Sequence, residues 1–330
     1  MNIKTLLWTY IVKPIKNLGG DKSKIRRQWK QIMGYDLDLS NPRTFNEKIQ
    51  YLKLLERKPE YTVMVDKYAA KQWIADRVGE EYVPKLLGVW NRAEDIDFDA
   101  LPQRFVLKTT HDSGGVIVVK DKNLIDKGGA VTRENLPISS VEIKEFLRRH
   151  LKDNHYARHY EWVYKHVKHK IIAEEFLPIS KDSNQSAFDY KIFCFNGQPK
   201  FLSIERDRFG EHFSSYYSTD NWKKMPFNEL HNPENPAEEA VPENLEEMLS
   251  IARKLSIGLP LLRVDLFLSG DRPYVGELTF FHGAGFERFA PEFADIMMGD
   301  MIDLSAWREY SGGIYLYIKK LRSVLGLKGI

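Results

Sequence analysis

One stretch constrains the fold of this chain more than any other. It runs Leu261-Leu262-Arg263-Val264-Asp265-Leu266-Phe267, then Ser269-Gly270-Asp271-Arg272-Pro273, then Tyr274-Val275-Gly276-Glu277-Leu278-Thr279-Phe280. It reads as two β-strands joined by a tight turn, with an Arg, an Asp and a Glu set into apolar strands. Side chains alternate faces along a strand, so Arg263 and Asp265 share one face, as do Glu277 and Thr279. A hairpin centred on Asp271 puts Asp265 opposite Glu277 and Arg263 opposite Thr279, with such neighbours about 5 Å apart. Two carboxylates that close repel unless a cation sits between them, and hard oxygen donors suit Mg²⁺. The other reading is a salt-bridge cluster of Arg263 with the two acids. The apolar flanks Pro260-Leu261-Leu262 and Thr279-Phe280-Phe281 argue against an ordinary solvent-facing strand.

The 330 residues suffice for two domains, or for one with elaborations. With 43% hydrophobic and 29% charged residues the chain can build a core as a globular protein. A net charge of +3 gives no argument for a nucleic-acid partner. The single cysteine, Cys194, excludes an intramolecular disulfide and a Cys-based zinc cluster, which suits a reducing compartment. In the run Ile192-Phe193-Cys194-Phe195 it is expected to be a buried small hydrophobe.

No segment approaches the roughly 20 apolar residues that span a bilayer. The start, Thr5–Val12, is short for a signal sequence and lacks a cleavage site before Lys13, so a cytoplasmic location is expected. This start and the tail Ile314–Leu325 both mix large apolar residues with Lys and Arg nearby. Such ends either pack on the protein as terminal helices or touch an anionic membrane at its inner face.

Local signals divide the rest. Thr44-Phe45-Asn46-Glu47 forms a capping box after Ser40-Asn41-Pro42. One helix is expected from about Thr62 through Arg77, ended by Gly79, and others over Ser139–Asn154 and Leu245–Ser256. Arg104–Lys108, Val116–Lys120 and Lys170–Leu177 read as strands. Phe188–Phe195 and Pro199–Ile204 flank Asn196-Gly197, the dipeptide a two-residue hairpin turn requires. Asn232–Pro242 is a surface loop. Irregular alternation with several antiparallel hairpins gives α+β or mixed α/β rather than a doubly wound sheet.

Three further constellations carry chemistry. Lys108 ends a strand before Thr109-Thr110-His111-Asp112-Ser113-Gly114-Gly115, so its ammonium and the loop N–H groups can reach a phosphate chain. The alternative is a plain turn with a structural His111. Glu174-Glu175 ends an apolar strand, so at most one carboxylate faces a cleft, where it can accept from a ribose. In Asp189-Tyr190-Lys191 the lysine either reaches a phosphate or pairs with Asp189. Arg206-Asp207-Arg208 is either a cationic contact for an anionic substrate or a solvated run.

The succession resembles the ATP-grasp superfamily. Phe105–Lys108, Glu161–Lys165, Ile171–Glu175, Phe188–Gly197, Arg263–Leu266 and Gly276–Phe280 together resemble its TupA-like family, over roughly residues 30–305. The resemblance implies an α+β ATP-grasp fold, two subdomains sandwiching ATP behind a helical N-terminal region. Its expected divisions are a basic helical region 1–60, a helix-rich lead-in 61–103, subdomains 104–178 and 179–310, and a basic tail 311–330.

The resemblance also implies roles. Lys108 and Lys191 would contact ATP phosphates, under a loop containing His111, Ser113, Gly114 and Gly115. Glu174 or Glu175, with backbone near Leu177, would bind the adenosine. Asp265 and Glu277, with Thr279 where relatives often carry Asn, would hold Mg²⁺, two ions being expected. Arg263, with Lys191, would act at the reacting carboxyl. The implied reaction joins a carboxylate to an amine through an acyl phosphate. The substrates would be a uronic acid of a surface polysaccharide, or its precursor, and an amine. A sugar kinase, a glycosyltransferase and a non-catalytic scaffold are the rival readings. His282-Gly283-Ala284-Gly285 is a candidate acceptor-side loop, or a simple turn.

Overall fold

The computed structural model describes residues 13–132, 136–178, 188–206, 213–235 and 237–305. The apolar ends Thr5–Val12 and Ile314–Leu325 lie outside these residues, as do Asp207 and Arg208. Helix α1 (Lys13–Met33) leads to α2 (Phe45–Leu55). The expected capping box opens α2: Glu47 N donates to Thr44 Oγ1 at 3.2 Å, and Thr44 N to Glu47 Oε2 at 3.2 Å. Both contacts satisfy N–H groups that a helix start leaves without partners.

The helix expected over 62–77 is two helices, α3 (Pro59–Val65) and α4 (Ala69–Val78). The break is chemical. Asp66 Oδ1 accepts from Tyr68 N at 2.9 Å and from Ala69 N at 3.4 Å, so the carboxylate competes with the helical backbone. Lys67 N then donates to Thr110 O at 3.1 Å. The apolar periodicity runs through this break, which is why it reads as one helix.

Two five-stranded antiparallel sheets follow. The first comprises β1 (Leu86–Trp90), β2 (Phe105–Thr109), β3 (Val116–Val119), β4 (Ala130–Thr132) and β5 (Ile171–Glu175), in the order β1-β5-β2-β3-β4. Its strand β1 comes from the region 61–103. On one face Phe105, Leu107, Ile117, Val119, Ile171 and Ala173 are buried with Ile143, Phe146 and Leu147 of α5 (Ser140–Lys152). The short helix α6 (His155–His159) follows α5. Strand alternation puts Val106, Lys108 and Val118 on the opposite face.

The second sheet contains β6 (Phe188–Phe195), β7 (Gln198–Arg206), β8 (Phe213–Ser218) and, after the short β9 (Asn228–Glu229), β10 (Leu261–Ser269) and β11 (Arg272–Thr279). Its order is β11-β10-β6-β7-β8. Asn196 and Gly197 take φ of 49° and 77°, the paired positive values their hairpin turn requires. Ile192, Cys194, Leu262, Val264 and Leu266 are buried with Met248, Ala252 and Leu255 of α7 (Leu245–Ser256). Cys194 is fully buried, as expected. β12 (Phe289–Ala290) pairs with β9, and α8 (Phe293–Asp300) closes the described chain.

The 261–280 hairpin pairs Asp265 with Glu277 and Arg263 with Thr279. Its turn is not centred on Asp271, because Ser269 pairs with Arg272 and Leu266 with Val275. That register alone would set Asp265 against Gly276. A bulge between Asp265 and Leu266 adds one residue to β11 and brings Glu277 into place. A Cβ on Gly276 would lie 2.4 Å from the Phe267 ring, so the bulge needs glycine.

Candidate active site

The polar faces of the two sheets look at each other. Lys108 Nζ of the first sheet lies 5.6 Å from the ring centroid of Phe267 in the second. Phe267 shares its strand face with Arg263 and Asp265, and Lys191 is the cross-strand partner of Asp265. The lysines and acids, Lys108 and Glu277 being the farthest apart in sequence, therefore line one cleft.

Glu174 anchors the first wall. Its Oε2 lies 2.5 Å from Lys108 Nζ and its Oε1 2.7 Å from Lys71 Nζ. Burial pushes its carboxyl up, but the two ammonium groups win and hold it at about 2. Both oxygens are thus engaged by lysines. Glu175 faces the other way, accepting from Lys85 N at 2.7 Å. Leu177 follows the strand and is half-buried.

The loop after Lys108 is folded around Asp112. Thr109 Oγ1 donates to Asp112 Oδ1 at 2.5 Å and Gly115 N donates to the same oxygen at 3.2 Å, while His150 of α5 bonds Oδ2. Burial opposes the Asp112 charge, but the His150 and Thr109 bonds hold its carboxyl well below the ordinary range. A Cβ on Gly115 would overlap Thr109 Oγ1, which explains glycine there. Ser113 is exposed at the loop tip and Gly114 is half-buried. His111 turns inward: it is fully buried, stacks on His169 at 3.5 Å, and its Nε2 is 3.2 Å from Asp153 O. Burial and His169 push its pKa down to about 4, so its ring is neutral and supports the loop from behind.

Lys67 escaped the sequence reading. Its Nζ donates to Asp112 O at 2.5 Å and lies 3.2 Å from Glu277 Oε1. It bridges the loop of the first sheet to a carboxylate of the second. The break at Asp66 aims it there, and apolar periodicity carries no sign of that break.

In the second wall Arg263 holds Asp265 with two bonds, Nε to Oδ1 and Nη2 to Oδ2, both 2.7 Å. Nη2 also donates to Thr279 Oγ1 at 3.1 Å, and Nη1 lies 2.6 Å from His282 Nδ1. The salt-bridge reading of the hairpin therefore describes these side chains as they stand. Burial disfavours the guanidinium charge, but Asp265 and Glu277 outweigh it and raise its pKa further. Asp265 is pushed up to about 6, by burial more than Arg263 pulls it down, with Asp189 adding repulsion. Lys191 Nζ pairs with Glu205 at 3.0 Å rather than with Asp189.

These donors fit a hard cation. Asp265 and Glu277 are cross-strand partners, each carboxylate oxygen keeps a second lone pair, and Glu277 is partly exposed.

Glu229 is the other residue missing from the sequence reading. It accepts from Tyr216 OH at 2.6 Å and from Asn232 Nδ2 at 2.5 Å, and its Oε1 lies 3.0 Å from His282 Nε2, off the hydrogen-bond axis. Burial pushes its carboxyl up, but His282 and Tyr216 hold it well below the ordinary range. Glu229, His282 and Glu287 have ligand atoms within 4.8 Å of one another, a spacing that would suit a metal. The tautomer argues otherwise. Arginine can only donate, so Nδ1 of His282 accepts and Nε2 carries the proton, leaving it no lone pair for a metal. Glu229 sits in a two-residue strand in a polar segment, where no pattern marks it.

Two facing antiparallel sheets, with lysines on one wall and a carboxylate pair on the other, define an ATP-grasp protein, the superfamily that holds ATP between two α+β subdomains. Within it the chain belongs to the TupA-like ATP-grasp family, whose profile matches residues 47–303. No curated protein sequence matches the chain. Among solved structures it is similar to the D-alanine–D-alanine ligase of Bacillus anthracis complexed with ATP. That match has 16% identity over 75% of this chain and 67% of the other, with a TM-score of 0.39. The Helicobacter pylori D-alanine–D-alanine ligase matches at 15% over 77% and 66%, also at 0.39. The ATP-grasp ligase PsnB, complexed with a phosphomimetic variant of its minimal precursor, Mg and ADP, matches at 13% identity with a TM-score of 0.34. That match covers 67% of this chain but only about half, 51%, of PsnB.

Proposed function

We propose that the protein is an ATP- and Mg²⁺-dependent carboxylate–amine ligase. The observation that carries this reading is the cleft itself: Lys67 reaches Glu277, Lys191 stands across from Asp265, Arg263 holds Asp265, and Lys108 looks in from the facing sheet near Phe267. Polyphosphate needs such cations, and the paired carboxylates offer further oxygen lone pairs to a hard metal ion.

In this reading Lys108, Lys67 and Lys191 bind ATP phosphates, with backbone N–H groups at Ser113, Gly114 and Gly115 closing over them. Backbone at Glu175 and Leu177 takes the adenine edge, while Glu174 holds Lys71 and Lys108 in position. Asp265 and Glu277, with Thr279 in support, would hold Mg²⁺, two ions being proposed, and the metal would neutralise phosphate charge. A substrate carboxylate oxygen attacks the γ-phosphorus and ADP leaves, giving an acyl phosphate. The amine nitrogen then attacks the acyl carbon, phosphate leaves, and the amine proton passes to solvent. Arg263 stabilises the oxyanion formed in that step.

Family membership supports a polysaccharide role. We assign the carboxylate to a uronic acid of a bacterial surface polysaccharide or its precursor, the amine to an amino acid or similar nucleophile, and the reaction to the cytoplasm. The test is a product assay with ATP, galacturonate or glucuronate, and a panel of amino acids. Ligation releases ADP and phosphate only when both acid and amine are present. ADP without free phosphate would make the protein a kinase, and consumption of a nucleotide sugar with ATP untouched would make it a glycosyltransferase.

A further inference from the structure

Helix α1 separates its charges by side. Its buried stripe is Asp21, Ile25 and Trp29, the latter two packed with Leu37 and Leu54. Lys22, Lys24, Arg26, Arg27 and Lys30 are all exposed. At 3.6 residues per turn these five spread over about 200° of the outer surface. The only acid in the helix, Asp21, points inward, where Arg57 Nη2 is 2.9 Å from Oδ2 and Tyr156 OH donates to Oδ1 at 2.6 Å. The outward face from Lys22 to Gln31 thus carries five positive charges and no negative one. With a net charge of only +3 in the whole chain, this is segregation rather than general basicity.

Acids reappear only past the helix. Among the described residues, the outward side has one ion pair, Lys30 with Asp36 at 3.2 Å, and Asp38 lies near Arg26. Lys22 and Lys24 sit at the end away from them, and Arg27 lies about 100° round the helix from Arg26. In sequence this end continues from Leu6-Leu7-Trp8-Thr9-Tyr10-Ile11-Val12, a run with the Trp and Tyr that favour membrane–water interfaces. A nucleic acid would gain nothing from that neighbour; a bilayer would.

We propose that the outward face of α1 docks on an anionic lipid surface. Its apolar stripe is already packed on the protein, so the helix itself contacts headgroups by charge and does not insert. Each Lys or Arg held near such a surface strengthens partitioning by about fivefold, and salt weakens the contact. The inference is independent of the ligase reading, since its readout involves neither ATP nor turnover.

The experiment is flotation of the intact protein with vesicles of equal phosphatidylglycerol and phosphatidylcholine, and with phosphatidylcholine alone. Binding to the anionic vesicles only, lost in high salt, is expected. The triple variant Lys22→Gln/Lys24→Gln/Arg27→Gln should bind about a hundredfold more weakly, with an unchanged circular dichroism spectrum and melting temperature. Absence of binding, equal binding to neutral vesicles, or undiminished binding by the triple variant would each overturn the proposal. So would equally tight binding to duplex DNA at the same ionic strength, which would make the face a general polyanion site.

Discussion

His282 Nδ1 lies 2.6 Å from Arg263 Nη1, so a neutral imidazole fixes one end of a guanidinium whose other edge is clamped by Asp265. Behind the ring stands Glu229, itself held by Tyr216 and Asn232. The loop carrying His282 is pinned too: Ala284, at φ of 53°, gives its carbonyl to Lys53 Nζ at 2.6 Å and to Gln50 Nε2 at 3.1 Å. An arginine supported in this way arrives at the reaction already oriented, and misplacement by about 1 Å can cost about a hundredfold in rate.

His282→Leu removes the acceptor, and kcat should fall by about a hundredfold while ATP affinity stays within about twofold. His282→Asn places a carbonyl oxygen near the old Nδ1 and should recover most of the loss. Kinetics on both variants, with calorimetric ATP binding, check this; equal loss in both would show that the ring only fills space.

Lys67 ties the phosphate loop to Glu277, so it is expected to serve the nucleotide rather than the fold alone. Lys67→Met should raise the KM for ATP by about tenfold to a hundredfold, the range for a lost charge-assisted hydrogen bond. An unchanged KM for ATP in a folded variant would remove Lys67 from the site.

The shared face of Arg263 and Asp265 was legible from period-two alternation, but the Asp265–Glu277 pairing follows in sequence only from a turn centred on Asp271, whereas the actual turn needs the bulge to produce it. The Gly276 bulge was not legible, since a strand glycine without its neighbour Phe267 looks like any other. Lys108, Lys191 and Arg263 stand in apolar strands, where a charge is conspicuous. Lys67 and Glu229 stand among other polar residues, and only tertiary contacts single them out. That Glu174 is shared between Lys108 and Lys71 could not be read either, because Lys71 comes from a helix far upstream.

Glu174 makes a pH-dependent prediction with a definite sign. Its folded carboxyl is held near 2, below the ordinary 4.5, so the unfolded chain binds the proton more tightly. The stability it contributes is full above about pH 4.5 and is lost as pH falls towards 2. A shift of that size corresponds to about 3 kcal/mol, an upper bound because burial holds Lys71 below its usual range and so costs something in return. Glu174→Gln should be clearly less stable than the natural protein at pH 7. The gap should narrow as pH drops from 5 to 2, followed by urea unfolding across that range. A constant gap would mean that the carboxylate is not carrying the charge assigned to it.

Gly276 tests whether register, rather than residue identity, builds the metal wall. In Gly276→Ala the new methyl meets the Phe267 ring at 2.4 Å, and neither group can move far within a paired strand. The bulge should relax into regular pairing, which slides Glu277 away from Asp265 while leaving both carboxylates in the chain. Mg²⁺-dependent nucleotide affinity should then fall by about tenfold to a hundredfold, as for loss of a ligand's orientation. Adding Phe267→Ala frees space for the methyl and should restore the affinity in the double variant. Phe267→Ala alone controls for the lost ring beside Lys108. If Gly276→Ala binds Mg²⁺ and nucleotide like the natural protein, the one-residue bulge is not what brings the two carboxylates together.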